Sequence, residues 1–148
     1  MESINFYLNN MEVTVEIEEG ELLIDTLRNR LNIKSVKQGC GIGECGTCTV
    51  LLDNEPVYSC ITLTKAIENQ CITTIEGIDT DKIEKAFINS GAVQCGFCTP
   101  GMMLIAYSIL SSGEKLNRDE IKSKISGNLC RCTGYNQIIE AIENVLKN

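Results

Sequence analysis

Eight of the nine cysteines in this 148-residue chain form two groups of four that differ in their spacing. The first group has the pattern C-x4-C-x2-C with a fourth cysteine downstream, and the second pairs a C-x2-C with a later C-x-C. The groups consist of Cys40, Cys45, Cys48 and Cys60, and of Cys95, Cys98, Cys130 and Cys132. Any fold of this chain has to bring thiols together from distant segments, and it has to do so twice.

The first group has the spacing of plant-type [2Fe-2S] ferredoxins, in which four thiolates hold the iron pair. Glycines alternate with these cysteines at 39, 41, 43 and 46. They let the loop take positive φ angles and point backbone N-H groups at sulfur. Zinc also accepts four thiolates, but zinc sites favour paired C-x2-C spacings. The first group therefore predicts a [2Fe-2S] cluster and a role in single-electron transfer.

The second group stands at the starts of two predicted helices. Thr99 and Pro100 follow Cys98 directly, as a predicted N-cap and first helical residue. Cys130 and Cys132 likewise come just before the last predicted helix. Two positive helix ends would then face one anionic centre. The spacing of this group alone leaves zinc open as an alternative.

Composition excludes several other functions. The chain has no histidine, so Rieske clusters, histidine-bound zinc, histidine-based triads and the usual haem ligation are excluded. A net charge of -7 argues against nucleic acid or an anionic membrane as a partner. No apolar leader and no long apolar run is found, so we expect a cytoplasmic protein whose thiols stay reduced and bind metal rather than form disulfides.

Residues 1–76 are predicted to form a β-grasp domain. Apolar and polar residues alternate over 4–8 and 13–17, with Asn9-Asn10 between them, which indicates a β-hairpin. Apolar residues recur at helical spacing through 21–31 and predict a helix on that sheet. Later segments predict a strand at 49–52, a turn at 53–56, an extended piece reaching Cys60 and a last strand at 71–75. The ninth cysteine, Cys71, is expected to be a small buried residue of that strand.

Residues 82–148 are predicted to form an all-α domain, after a polar linker at 77–81. Four helices with short connections are expected, as in an antiparallel bundle: 82–89, 100 to about 111, one capped by Asn117, and about 136–147. The second is apolar nearly all round and should be the buried central helix. Glu120 occupies the capping-box position of the third. The predicted fold class is therefore α+β.

Three runs of the sequence closely resemble the iron-sulfur subunit of the xanthine dehydrogenase and aldehyde oxidase family of molybdenum hydroxylases. The runs are GCGIGECGTC at 39–48, QCGFCTPG at 94–101 and GNLCRCTGY at 127–135. The resemblance covers nearly the whole chain, in order. It implies a β-grasp domain with one [2Fe-2S] cluster and a four-helix domain with a second.

The resemblance also implies partners. Electrons would pass from molybdopterin on a large subunit, through the helical-domain cluster and then the β-grasp cluster, to FAD on a medium subunit. Gln94 matches the family's glutamine that hydrogen-bonds the pterin, and Cys132 matches the cluster ligand nearest to it. The complex would be an enzyme that oxidises a heterocycle, an aldehyde or a similar carbon centre, while this chain carries no substrate chemistry.

Two alternatives of other classes stay open on the sequence. An independent two-cluster ferredoxin would have a polar surface around both clusters, whereas a subunit would have apolar patches where its partners dock. A zinc-stabilised interaction module would be colourless and redox-inactive. Arg131, between two cluster ligands, is expected to bond a partner's carbonyl group rather than to raise the cluster potential.

Overall fold

The N-terminal hairpin begins a five-stranded mixed sheet. The computed structural model describes all residues from Met1 to Asn148. Strands β1 (Glu2–Leu8) and β2 (Met11–Ile17) pair antiparallel, with Ile4 opposite Val15. Asn9 and Asn10 form the turn with φ angles of 51° and 67°, a left-handed backbone that asparagine tolerates and two-residue hairpin turns require. The predicted hairpin is confirmed.

The other strands complete the sheet in the order β2-β1-β5-β3-β4. They are β3 (Thr49–Leu52), β4 (Glu55–Tyr58) and β5 (Cys71–Thr73), with β5 parallel to β1 and antiparallel to β3. The predicted turn at 53–56 is too long: Asp53 and Asn54 turn the chain alone at φ 47° and 72°. Pro56 lies in β4, an edge strand on which a missing N-H group is tolerated.

A short helix packs on the buried face of this sheet. Helix α1 (Leu23–Asp25) continues as a π-helical turn over Thr26–Arg30, within the predicted 21–31 segment. Its side chains Leu23, Ile24 and Leu27 are almost wholly buried. They join a core of 14 buried residues that includes Phe6 and Ile72. The same core contains two of the cysteines of the first group, so that group is built into the packing of this half.

The prediction that Cys71 is buried was wrong. Cys71 is exposed at the start of β5, where its N-H donates to Asp53 at 2.9 Å. Its cross-strand neighbour Tyr7 is also exposed, whereas the next residue, Ile72, is 1% exposed. The strand ends at Thr73, two residues short of the predicted end at 75, and Ile72 rather than Cys71 faces the core.

Four helices form the second half, each close to its predicted bounds. They are α2 (Asp81–Asn89), α3 (Thr99–Ser112), α4 (Arg118–Ile125) and α5 (Asn136–Lys147). Helix α3 is the buried central one, as Met102 at 0% and Met103 at 5% exposure illustrate. The side chain of Asn117 accepts the Glu120 N-H at 2.9 Å, and the Glu120 side chain accepts the Asn117 N-H at 2.7 Å. The predicted capping box is confirmed.

Two helix starts differ from the prediction. Thr99 does not cap α3, because it is already the first helical residue and the N-cap position belongs to Cys98. Cys98 itself has right-handed helical angles, so the chain enters α3 directly from the cysteine loop. Helix α2 begins at Asp81, one residue inside the predicted linker. No helix of the chain combines the length and the apolar character needed to cross a membrane.

Candidate metal centres

The first cysteine group lies in the loop before β3 and in a 3-10 turn after β4. Cys40 is exposed, Cys45 is half-buried, and Cys48 and Cys60 are buried. The turn Ser59–Ile61 carries Cys60 to the side of the sheet where β3 begins. Cys48 directly precedes β3, and its carbonyl group accepts the Ser59 hydroxyl at 2.7 Å. The fold thus brings this group together from segments on either side of the β3–β4 hairpin.

Backbone N-H groups surround the exposed end of this group. The Sγ atom of Cys40 accepts from the N-H groups of Ile42, Glu44 and Cys45 at 3.4, 3.2 and 3.3 Å. The N-H of Cys40 in turn donates to Cys45 Sγ at 3.3 Å. Donation by Ile42, Cys45 and Glu44 lowers the pKa of the Cys40 thiol to about 6. The loop is therefore arranged to stabilise negative charge on sulfur.

The inner end of the group has the opposite electrostatics. Burial raises the pKa of the Cys48 thiol to about 11; the N-H of Cys60 opposes that shift, and the thiol of Cys60 adds to it. A buried thiolate is costly unless a cation compensates its charge. A bound metal supplies that charge and displaces the proton. The inner pair is thus chemically suited to a metal rather than to free thiolates.

The second group lies where α3 and α5 begin. Cys95 and Cys132 have their Sγ atoms 3.6 Å apart and are both exposed. Cys98 and Cys130 are half-buried, and their thiols interact; burial, with Cys130 beside it, raises the pKa of Cys98 to about 12. A cavity of about 460 Å³ is lined by all of these cysteines and by Cys45 of the first group.

The thiols in both groups are arranged as pairs. The pairs are Cys40 with Cys45, Cys48 with Cys60, Cys95 with Cys132, and Cys98 with Cys130. Two such pairs can each hold one iron of a [2Fe-2S] cluster.

The two groups are joined by a direct hydrogen bond. The N-H of Leu129, next to Cys130, donates to the carbonyl oxygen of Cys45 at 2.8 Å. The buried amide of Asn128 donates to the carbonyl of Gly46 at 3.1 Å and to the Thr49 hydroxyl at 3.2 Å. One cysteine of each group therefore lies at a contact between the two halves.

Glycines make this contact possible. A side chain on Gly127 would place its Cβ 2.0 Å from the hydroxyl of Tyr58, which itself donates to the Gly127 carbonyl at 2.9 Å. A Cβ on Gly46 would lie 2.3 Å from the same carbonyl oxygen. The two backbones approach closely because neither position has a side chain.

The remaining predicted site residues lie beside the second group. The side chain of Gln94 is exposed and donates to the carbonyl of Cys132 at 3.2 Å. Arg131 is exposed at the rim of the cavity. The structure thus brings Gln94 and Cys132 together on the surface.

Sequence reasoning missed three residues that support the two cysteine groups. Asn128 holds the contact between the halves, Thr133 donates to Cys130 Sγ at 3.2 Å, and Tyr135 accepts the Cys130 N-H at 3.1 Å. All three lie within the run at 127–135 that carries the resemblance. Their positions beside the cysteines were the available signal.

The chain matches two families of iron-sulfur domains, one in each half. Residues 6–76 match the 2Fe-2S iron-sulfur cluster binding domain. Residues 74–143 match the [2Fe-2S] binding domain. Both descriptions agree with the paired arrangement of the thiols, and neither describes a zinc site.

Known proteins are similar over nearly their whole length. The nicotinate dehydrogenase small FeS subunit of Eubacterium barkeri is 41% identical, over 95% of this chain and 92% of the relative. The xanthine dehydrogenase iron-sulfur-binding subunit of Escherichia coli O157:H7 is 39% identical, over 95% and 91%. A chain in the crystal structure of quinoline 2-oxidoreductase from Pseudomonas putida 86 superposes with a TM-score of 0.92 at 39% identity, over 99% and 94%. The chain therefore belongs to the family of iron-sulfur subunits of the xanthine dehydrogenase and aldehyde oxidase type of molybdenum hydroxylase.

Proposed function

We propose that this chain is the electron-transfer subunit of a molybdenum hydroxylase complex. Electrons would enter from a molybdopterin on a large partner subunit, cross two [2Fe-2S] sites in series, and leave to FAD on a medium partner subunit. When bound, a [2Fe-2S] cluster takes up and releases one electron at a time. The oxidation of the substrate takes place on the partner, and this chain supplies the path for the electrons.

The observation that carries this proposal is the bond between Leu129 and Cys45. Each cysteine group has one exposed end, at Cys40 in the first and at Cys95 and Cys132 in the second. Between these ends the two groups are linked by the 2.8 Å hydrogen bond from Leu129 to the Cys45 carbonyl. A relay needs an entry, an exit and a short connection, and the chain provides all three.

The ligand assignment belongs to the same proposal. Cys40, Cys45, Cys48 and Cys60 would hold the first cluster, and Cys95, Cys98, Cys130 and Cys132 the second. The pairing of the thiols and the N-H groups directed at Cys40 support the first set. The 3.6 Å separation of the Cys95 and Cys132 sulfurs supports the second.

Gln94 and Cys132 are proposed as the contacts to the molybdopterin. Their mutual hydrogen bond at 3.2 Å holds the Gln94 amide beside the exposed end of the second group. One N-H of the amide is used in that bond, so its carbonyl oxygen stays available to a donor on the pterin. The electron would enter the chain at this point.

Apolar side chains around both exposed ends support docking to partners rather than free diffusion. Ile42 and Ile61, beside the first group, are 70% and 59% exposed, and Phe97 and Leu129, beside the second, are 45% and 51% exposed. A free carrier would have polar residues at these places. The proposed compartment is the cytoplasm, because its reducing conditions keep such thiols available to iron.

Purification of the intact complex tests this function. We expect an affinity tag on this chain to recover two larger chains, together with molybdenum, flavin, iron and acid-labile sulfide. Addition of substrate without an acceptor should bleach the iron-sulfur absorption. Recovery of the chain alone, brown and reducible, would instead support the independent ferredoxin, and a colourless zinc protein would support the interaction module.

A further inference from the structure

Three hydrogen bonds around the ligand Cys130 form a closed ring. The N-H of Cys130 donates to the Tyr135 hydroxyl at 3.1 Å, and the N-H of Tyr135 donates to Thr133 Oγ1 at 3.2 Å. The Thr133 hydroxyl then contacts Cys130 Sγ at 3.2 Å, which returns the ring to its start. Nothing in the proposed electron path requires this ring.

The ring determines which atom accepts the hydrogen bond from the Thr133 hydroxyl. Its oxygen already accepts the Tyr135 N-H, so its own hydrogen needs an acceptor. A ligating thiolate has no proton and can only accept. Thr133 is 8% exposed, which leaves little competition from water. The hydroxyl is therefore a dedicated donor to the Cys130 sulfur.

Tyr135 holds this arrangement through an unusual backbone conformation. Its φ angle is +75°, and every other non-glycine residue with positive φ is Asn or Asp. A bulky residue in this region persists only where its surroundings hold it there. Here the hydrogen bonds at both its hydroxyl and its N-H do so. The strain is compensated by contacts that end on a cluster ligand.

The threonine beside the first group has two possible acceptors for its hydroxyl proton. Thr47 Oγ1 lies 3.3 Å from Cys45 Sγ and also 3.3 Å from the carbonyl of Lys37. Its single proton is divided between two acceptors. The Thr133 ring is thus a specific feature of the second group.

We propose that Thr133, held by Tyr135, is a positioning residue that raises the reduction potential of the second cluster. The inference rests on the proposed electron-transfer function. Each electron that arrives from the pterin would reduce one iron and add one negative charge to the cluster as a whole, and that charge would leave with the electron toward the flavin. A hydroxyl donor at Cys130 Sγ stabilises the more negative state. Without it, the electron is held less tightly at this centre.

The test is a potentiometric titration of the whole complex, followed by electron paramagnetic resonance of both clusters. In T133V we expect about a tenfold fall in the reduced-to-oxidised ratio of one cluster at fixed potential, which corresponds to about 59 mV for a one-electron couple. T133S keeps the hydroxyl and should titrate like wild type. The signal that shifts in T133V should not shift in T47V, since Thr47 contacts the other group.

A second pair of variants tests whether the ring acts as a unit. Y135F removes the acceptor of the Cys130 N-H and should shift the same midpoint downward by less than T133V does. The T133V/Y135F double variant should then shift by less than the sum of the two. If T133V does not bind its second cluster, the other two variants test the inference. A lower midpoint in Y135F with an unchanged midpoint in T133S supports it, and an unchanged midpoint in Y135F contradicts it.

Some results would overturn the inference and leave the proposed function intact. One such result is an equal midpoint potential of the second cluster in wild-type and T133V complexes that both hold full clusters. Another is a shift in T133S as large as the shift in T133V. Failure of the function itself would look different, because the wild-type complex would then lack reducible iron-sulfur signals altogether.

Discussion

The side-chain amide of Asn128, in the helical half of the chain, donates to the carbonyl of Gly46 at 3.1 Å and so connects that half to the first cysteine loop. Asn128 is 3% exposed, so this amide has no water to replace its partners. The next residue, Leu129, donates to Cys45 at 2.8 Å. One buried side chain and one backbone hydrogen bond therefore lie next to each other at the junction of the two groups.

Replacement of Asn128 by alanine should loosen this connection. Loss of its buried hydrogen bonds is expected to cost about 1–3 kcal/mol of unfolding free energy. It should also weaken the magnetic interaction between the two reduced clusters, which electron paramagnetic resonance measures at low temperature. The control is N144A, since Asn144 donates to Ser90 at 3.4 Å within the helical half. An equal loss of coupling in both variants would contradict the role given to Asn128.

Two glycine variants separate backbone strain from a steric clash. Gly46 and Gly20 have φ angles of +73° and +76°, so alanine should cost about 1–2 kcal/mol at either position. Only at Gly46 does the new Cβ meet a backbone atom, at 2.3 Å, whereas nothing lies within 4 Å at Gly20. We expect G46A to lower the urea midpoint further than G20A and to lose iron. Equal midpoints would show that the halves do not pack so closely.

Iron content distinguishes ligand cysteines from the remaining one. Wild-type chain should hold about four irons, two per cluster. C45A should lose about half of them, while C71A should lose none, because Cys71 is exposed on the sheet and contacts no other cysteine. Iron and acid-labile sulfide analysis of purified complexes makes the comparison. Iron loss in C71A would mean that the ligand set has been assigned wrongly.

The ion pair of Glu21 and Arg30 predicts a pH dependence of stability. Both nitrogen–oxygen distances are 2.6 Å, and the hydrogen bond from Arg30 lowers the pKa of Glu21 from 4.5 to about 2. Because the folded-state pKa is the lower one, the stabilisation is complete above about pH 5 and is lost as the pH falls from about 4.5 toward 2.

The E21Q variant measures this contribution. At pH 6.5 it should be up to about 1 kcal/mol less stable than wild type, since it loses charge-assisted hydrogen bonds in a pair that water screens. At pH 3.5 the difference should be smaller, as the wild type begins to lose the same interaction. Urea unfolding followed by circular dichroism at both pH values provides the comparison, with E19Q as the control for an exposed carboxylate. A difference that does not change with pH would contradict the account.

The elements formed by neighbouring residues could be predicted from the sequence, and contacts between the halves could not. Strand alternation and helical spacing gave the hairpin and the four helices, because these patterns depend on residues a few positions apart. The phase of β5 was misjudged at Cys71, since Cys71 and Ile72 are both apolar and only the packing selects which one is buried.

Contacts between residues far apart in the sequence could be identified only from the structure. The bond from Asn128 to Gly46 joins residues separated by 82 positions, and no local pattern predicts such a pairing. The ring at Cys130 depends on a left-handed Tyr135, a conformation that the propensities of tyrosine argue against. The cysteine spacing predicted the two groups of four, while the residues that contact these cysteines became visible only in three dimensions.

The most direct test of the central claim is the electron paramagnetic resonance spectrum of the intact complex after anaerobic reduction with dithionite. Two distinct iron-sulfur signals, each of about one unpaired electron per chain, are expected from two [2Fe-2S] clusters. A single signal, or none in a preparation that contains molybdenum and flavin, would contradict the two-cluster relay.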